Sequence, residues 1–196
     1  MSGLRGRPRD TVLDTAIANA TETVLLSHGY AAVNIDRVAK MAGTTRAAIY
    51  RRAKTPGELV VALLVNRFGL DPASDTGNLH DDLRAIQELQ RYFFTDPMVQ
   101  AGLAGVLSDL RNDEQLAEVF YARFMEPRRR SVAALLARAA QRGEIAPPAH
   151  PGVISDLLTG PLLLRAALPP IGAIDDILIE ATIDAALTAC GAVDRR

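Results

Sequence analysis

Residues 34–54 read NIDRVAKMAGTTRAAIYRRAK. Asn34 is a good N-cap, and behind it Ile35, Val38, Ala39 and Ala42 fall on one side of a short helix. Gly43 breaks that helix. Thr45 caps a second helix, RAAIYRRA, in which Ile49 and Ala53 point inward. Val38 and Ile49 are expected to seal the small core between the two helices. Ala39 and Gly43 are expected where the helices cross closely, so that a larger side chain would push them apart. This is the pattern of a helix-turn-helix, which lays its second helix in the major groove of DNA. The side opposite Ile49 carries Arg46, Ala47, Tyr50, Arg51 and Lys54. Arg46 is placed to reach a guanine edge with both arms of its guanidinium. Ala47 permits close approach or meets a thymine methyl. Tyr50 and Lys54 suit phosphates, and the helix N-termini at Asn34 and Thr45 suit them too.

Helical periodicity extends in both directions from this stretch, and no convincing strand appears. Before it, Asp10 or Thr11 caps a helix whose apolar face is Leu13, Ile17, Ala20 and Val24, ending at Gly29. After it, KTPGE restarts the chain into a helix near 57–69 with Leu59, Val60, Leu63, Leu64 and Phe68 apolar. The loop DPASDTGN precedes helices near 79–95, 97–110 and 114–142. Pro127 lies within the last of these and is expected to kink or divide it. Past RGEIAPPAHPG come helices near 151–168 and 174–190, joined by LPPIG. The expected fold is all-α with about nine helices.

Composition narrows the function. The net charge is −1. Residues 1–60 nevertheless hold nine Lys/Arg against five Asp/Glu, and the remainder thirteen against eighteen. A basic head on an acidic body implies that the head alone meets a polyanion. Apolar residues make up 48% of the chain, enough for a real core, yet no run spans a bilayer. With no apolar leader and the single cysteine Cys190, a cytoplasmic protein without disulfide or cysteine–metal cluster is expected. His28, His80 and His150 stand far apart, and H-E-x-x-H, G-x-S-x-G, a phosphate loop and a dinucleotide fingerprint are all missing from the sequence. HDD at 80–82 reads as a solvated helix start. Neither an enzyme nor a cofactor is expected.

The residues HGY (28–30) and VNIDRVAKMAGTTRAAIYRRAKTPGELV (33–60) resemble the DNA-binding domain of the TetR family of bacterial transcriptional regulators. The tyrosine of AAIY at its distance from VAKMAG is the chief mark. Pro127–Arg129, the RGE following Ala139, and Gly160–Leu162 with Arg165 resemble one group of that family. Three positions depart from its pattern: Ala53 stands where an aromatic is usual, Thr44 for a valine, and Val33 for a threonine. At Ala53 the third helix is expected to dock less firmly on the fourth, unless a neighbour fills the gap.

The resemblance implies a basic N-terminal arm at 1–9, a DNA-binding domain at 10–56 and a helical effector-binding and dimerisation domain at 57–196. The implied DNA contacts are Asn34, Thr44, Thr45, Arg46, Ala47, Tyr50, Arg51 and Lys54. RGRPR (5–9) is similar to the core of a minor-groove hook, so Arg5, Arg7 and Arg9 are expected in the minor groove, on an arm that orders only on DNA. The partners implied are a palindromic duplex operator, a second copy of the chain and a small-molecule effector, with no membrane. The two-fold contact is expected from Ile154, Leu157, Leu158, Leu162, Ile179, Ile183 and Leu187, the alternative being that these two helices simply pack inside one chain. The effector is expected against Tyr92, Phe93, Phe120, Tyr121, Phe124 and Arg165, with His80 and Met125 nearby. Arg165 either snorkels, pairs with Asp156 or Glu126, or meets an anionic effector. Repression is the family's habit. A rival reading is an architectural DNA protein that uses the RGRPR hook without sequence preference.

Overall fold

The computed structural model describes residues 11–69 and 75–191, and every regular element among them is helical. α1 (Thr11–His28), α2 (Ile35–Met41) and α3 (Arg46–Tyr50) form the N-terminal unit, and α4 (Pro56–Arg67) leads out of it. The body holds α5 (Leu79–Thr95), α6 (Pro97–Asn112), α7 (Glu114–Phe120), α8 (Glu126–Gln141), α9 (Pro151–Ala167) and α10 (Asp176–Ala189). A π-helical stretch, Tyr121–Met125, joins α7 to α8 end to end, so the described residues make nine rods. Pro127 sits in the first turn of α8. Because α8 continues the rod, the proline removes a backbone hydrogen bond there, and the widened turn ahead of it takes up the mismatch. The division expected at Pro127 therefore falls just before it. No helix among the described residues is long and apolar enough to cross a membrane.

Local chemistry sets the helix ends. Asn34, Thr45, Thr55, Asn78, Asp96, Asp113 and Asp175 each accept a backbone N–H of the helix they begin. Such caps contribute about 1 kcal/mol apiece. Two helices stop in the same way: Thr44 N–H donates to Ala39 at 2.9 Å beyond Gly43, and Glu144 N–H to Ala139 at 3.0 Å beyond Gly143. Both glycines have φ near +70° (63° and 74°), which side chains resist. This corrects the reason expected for Gly43. A Cβ there would meet nothing within 4 Å, so the backbone conformation demands glycine, and no close helix crossing is involved.

Two apolar clusters form the interior. The first joins Ile17, Val24 and Leu25 of α1 to Val38, Ile49 and Ala53, and runs on into Leu59, Val60, Leu63, Met98, Val99 and Phe124. Packing is thus continuous past residue 56, which marks only the start of α4. Ala53 is buried in this cluster, where neighbouring side chains close over it. The second cluster gathers Leu83, Leu135, Leu136, Leu158, Leu162, Ile179 and Ile183 from α5, α8, α9 and α10. Within it, Gln87 of α5 donates to Leu158 O at 3.2 Å and to the Thr182 hydroxyl, tying three helices together. The HDD segment is less solvated than expected. Asp82 is fully buried, accepting from Thr76 N–H at 2.7 Å and from the Thr76 hydroxyl at 2.9 Å.

Besides this apolar packing, a polar contact ties the N-terminal unit to the body. Tyr30, between α1 and α2, donates its hydroxyl to Asp109 of α6 at 2.6 Å. Its ring lies over Gly105, where a Cβ would come within 2.1 Å of it, and its hydroxyl stands 3.3 Å from where a Cβ on Gly57 would be.

Candidate nucleic-acid interface and the cavity behind it

α3 turns one side to the protein and one to solvent. Ala48, Ile49 and Ala53 are buried. Thr45, Arg46, Ala47, Tyr50, Arg51 and Lys54 are exposed, and Thr44 is half-buried in the turn. Asn34 spends its side-chain oxygen on Arg37 N–H (2.8 Å), and Thr45 on Ala48 N–H (3.2 Å). Their part toward a phosphate is therefore to order the N–H groups around them. Arg52, next to the outward Arg51, points the other way. It pairs with Asp14 of α1 and donates to Ala48 O at 3.1 Å, clamping α3 to α1.

Arg46 pairs with Asp36 of α2. Sequence spacing gave no sign of this pair, because it joins two helices across the turn. The pair is solvent-exposed, so it is weak and open to competition from a base edge. It nonetheless fixes the direction in which the guanidinium leaves α3. The exposed Arg37 and Lys40 of α2 add positive charge beside it; the helix pattern contained them, but attention to α3 passed them over. Arg5, Arg7 and Arg9 lie outside the described residues.

Behind this unit, α4 to α9 surround a cavity of about 580 Å³. Phe93 stands at its centre, with ring centroids 4.9 Å from Phe68, 5.0 Å from Phe94 and 5.2 Å from Phe124. Phe120 stacks on Phe124 at 5.2 Å, and Tyr92 meets Phe68 edge-on at 5.9 Å. Tyr92, Phe93, Phe120, Phe124 and Met125 line the cavity. Tyr121 does not: one position on from Phe120, it is turned round the helix and exposed. Arg165 and His80 are not on the wall either. Arg165 donates to Ala173 O at 3.0 Å and closes the loop over Gly172, so neither Asp156 nor Glu126 pairs with it. His80 stands 3.4 Å from Glu180. Asp156 pairs with Arg129, and Glu126 with Arg130.

Three arginines face this cavity, and sequence reasoning singled out none of them for it. Arg67 pairs with Glu22 and, at 2.9 Å, with Asp96. Arg129 pairs with Asp156. Arg128 has no acidic partner among the described residues. It donates to Phe124 O at 2.8 Å, to Phe68 O and to Gly69 O at 3.4 Å, and lies 3.6 Å above the Phe124 ring. Burial pushes its guanidinium down to about 10, still charged at neutral pH.

The faces expected to meet a second copy are placed differently. Ile154, Leu158, Leu162, Ile179 and Ile183 are buried in the chain's own second cluster, and Leu157 and Leu187 are half-buried against it. Apolar periodicity marks an inward face without saying whose interior it enters. On the solvent side α9 exposes Val153, Gly160, Leu164 and Ala167, a stripe at helical spacing, and Leu168 follows at its end. α10 exposes Ile177, 80% accessible, then Ala181 and Ala185.

Comparison with known proteins agrees with this architecture. Residues 17–63 match the family described as bacterial regulatory proteins, tetR family, and residues 73–186 match the tetracyclin repressor-like C-terminal domain. The chain is 32% identical over 168 residues to the HTH-type transcriptional regulator YdeS of Bacillus subtilis (strain 168), covering 84% of this chain and 83% of that one. It is 29% identical over 182 residues to the DNA-binding transcriptional repressor TetR of Mycobacteroides abscessus, covering 92% of each. Among solved structures, the TetR family transcription regulator SCO0332 superposes with a TM-score of 0.71 at 23% identity, over 90% of this chain and 97% of that one. Helix-turn-helix, helical body and sequence together make the chain a member of the TetR family of transcriptional regulators, a non-enzymatic family of DNA-binding proteins.

Proposed function

We propose that this regulator is a repressor that binds a palindromic operator as a homodimer and leaves it when a small molecule fills the cavity. The observation that carries the reading is the outer side of α3. Arg46, Tyr50, Arg51 and Lys54 are exposed, and no helix among the described residues covers them. One such helix reads only a few base pairs, so useful specificity requires a pair. The apolar stripe left on α9 and α10 supports that pairing, because Val153, Leu164 and Ile177 are exposed among the described residues. The curated relative from Mycobacteroides abscessus is named a repressor, which favours repression here.

The cavity has the size and the apolar, aromatic walls of a small-molecule site. It is bounded by α4, whose other end follows α3 directly, so a change at its wall is transmitted to the reading helix. Arg5, Arg7 and Arg9 add a minor-groove contact beside each half-site. Binding-site selection from random duplexes with the purified protein tests the reading. An inverted repeat with half-sites about one helical turn apart is expected. Recovery of no consensus, with scrambled duplex competing equally, would overturn it in favour of an architectural role for the RGRPR hook.

A further inference from the structure

We infer that the cavity's ligand is an organic acid, an apolar or aromatic body carrying one carboxylate, and that Arg128 is the group that holds the carboxylate. The inference rests on the effector reading of the cavity given above and narrows its chemistry. Of the three arginines on the wall, Arg67 and Arg129 are already neutralised by Glu22, Asp96 and Asp156. A ligand carboxylate gains little from either. Arg128 is different: its charge is half-buried, and among the described residues it meets only carbonyl oxygens and the face of Phe124. A guanidinium has five N–H donors, and three bonds are made here, two of them from one nitrogen. The side chain therefore retains donor capacity and, among the described residues, a charge with no acidic partner at an apolar wall, the condition under which a charge-assisted bond to an anion is strongest.

Two further features shape the ligand. The body would lie against Phe93, Phe120 and Phe124. The Gln90 side-chain oxygen, on the same wall, is buried without a hydrogen-bond partner, so it accepts from a hydroxyl or N–H on the ligand.

The position of Arg128 also supplies a route to the DNA-reading unit. Phe68 O and Gly69 O lie just past the last turn of α4, where the helix dipole is negative. Arg128 closes that end. A carboxylate competes for the same donors, so binding loosens the hold on α4 at one end. The other end of that helix, about 18 Å away for its 12 residues, adjoins α3.

Decanoate and cinnamate, each paired with its primary amide, test the inference by calorimetry on the full chain. In an apolar cavity without a cation the amide binds better, because a carboxylate loses more solvation on entry. The sign of the preference is therefore diagnostic. At least one acid is expected to bind about tenfold or more tightly than its amide. That preference should vanish or reverse in Arg128→Gln and persist in part in Arg128→Lys, which keeps the charge but not the planar fork. The wild-type comparison needs no variant and so does not depend on either one folding. Amides binding as tightly as acids to the wild type would overturn the inference and leave an effector cavity standing. An acid preference undiminished in folded Arg128→Gln would also overturn it. If neither acids nor amides bind, both the inference and the effector reading fall, while DNA binding by α3 is measured separately by fluorescence anisotropy on the selected duplex.

Discussion

The two ends of the chain solve the same problem with opposite leftovers. In the N-terminal unit, α3 buries Ala48 and Ile49 and leaves a charged outer side. In the body, α9 and α10 bury Ile154, Leu158, Leu162, Ile179 and Ile183 and still have apolar side chains to spare outside. A helix whose apolar residues fill one face is finished by its own chain, and its other side is free to meet a polyanion. A helix with apolar residues on two faces is finished only by a second partner. The leftover surface differs in kind, charged at one end and apolar at the other, and the proposed function assigns duplex to the first and a second copy to the second.

Removing the buried side at either end should have the largest effect. Ile49→Ala and Leu158→Ala each delete a fully buried side chain. Each should lose about 2–5 kcal/mol in urea unfolding. Equal losses with unequal effects on DNA binding would sharpen the comparison, since Ile49 supports α3 directly. Next comes the outer side of the tail. Leu164→Glu with Ile177→Glu should leave the helix content by circular dichroism unchanged and shift sedimentation from dimer to monomer. A dimer that survives both substitutions would break the comparison at that end.

The outer side of the head should respond more gently. Arg46→Ala should cost about 1–3 kcal/mol on the selected operator and relax specificity at one base pair. Lys54→Ala should weaken all duplexes alike and lower the magnitude of the salt slope by about 0.9. An unchanged slope would mean that Lys54 makes no phosphate contact.

The smallest effect concerns the joint between the two ends. Burial, and then the hydrogen bond and charge of Asp109, hold the Tyr30 hydroxyl well above its ordinary value. Its contribution to stability is therefore complete below about pH 10, the value in the unfolded chain, and is lost as pH rises beyond it. Tyr30→Phe should cost about 1 kcal/mol at neutral pH and flatten the alkaline limb of a stability–pH curve. A limb as steep as in the wild type would show that other groups dominate it.

The head was legible in the sequence because its determinants are local. Asn34, Gly43 and Thr45 act on backbone within five residues of themselves, and each was recognisable by type and spacing. The pair of Arg46 with Asp36 and that of Arg52 with Asp14 join separate helices, so spacing along one helix was silent about them. In the body, the helices were legible and their neighbours were not. The residues Ile154 and Ile183 announce burial without naming the partner. Tyr121 stands on the exposed side of its helix, and Arg165 turns to a loop carbonyl instead. Arg128 lay inside the PRR segment that the family resemblance marked, but its lack of an acid partner is a fact of three dimensions.

The seat of Tyr30 over Gly105 carries a practical lesson for building hybrids of such regulators. The ring and the missing side chain beneath it belong to one lock, although 75 positions separate them in the sequence. Transplanting the first fifty-odd residues onto another member's body would bring the key without its keyhole. A successful graft should keep glycine at 57 and 105 and aspartate at 109, wherever the splice is made.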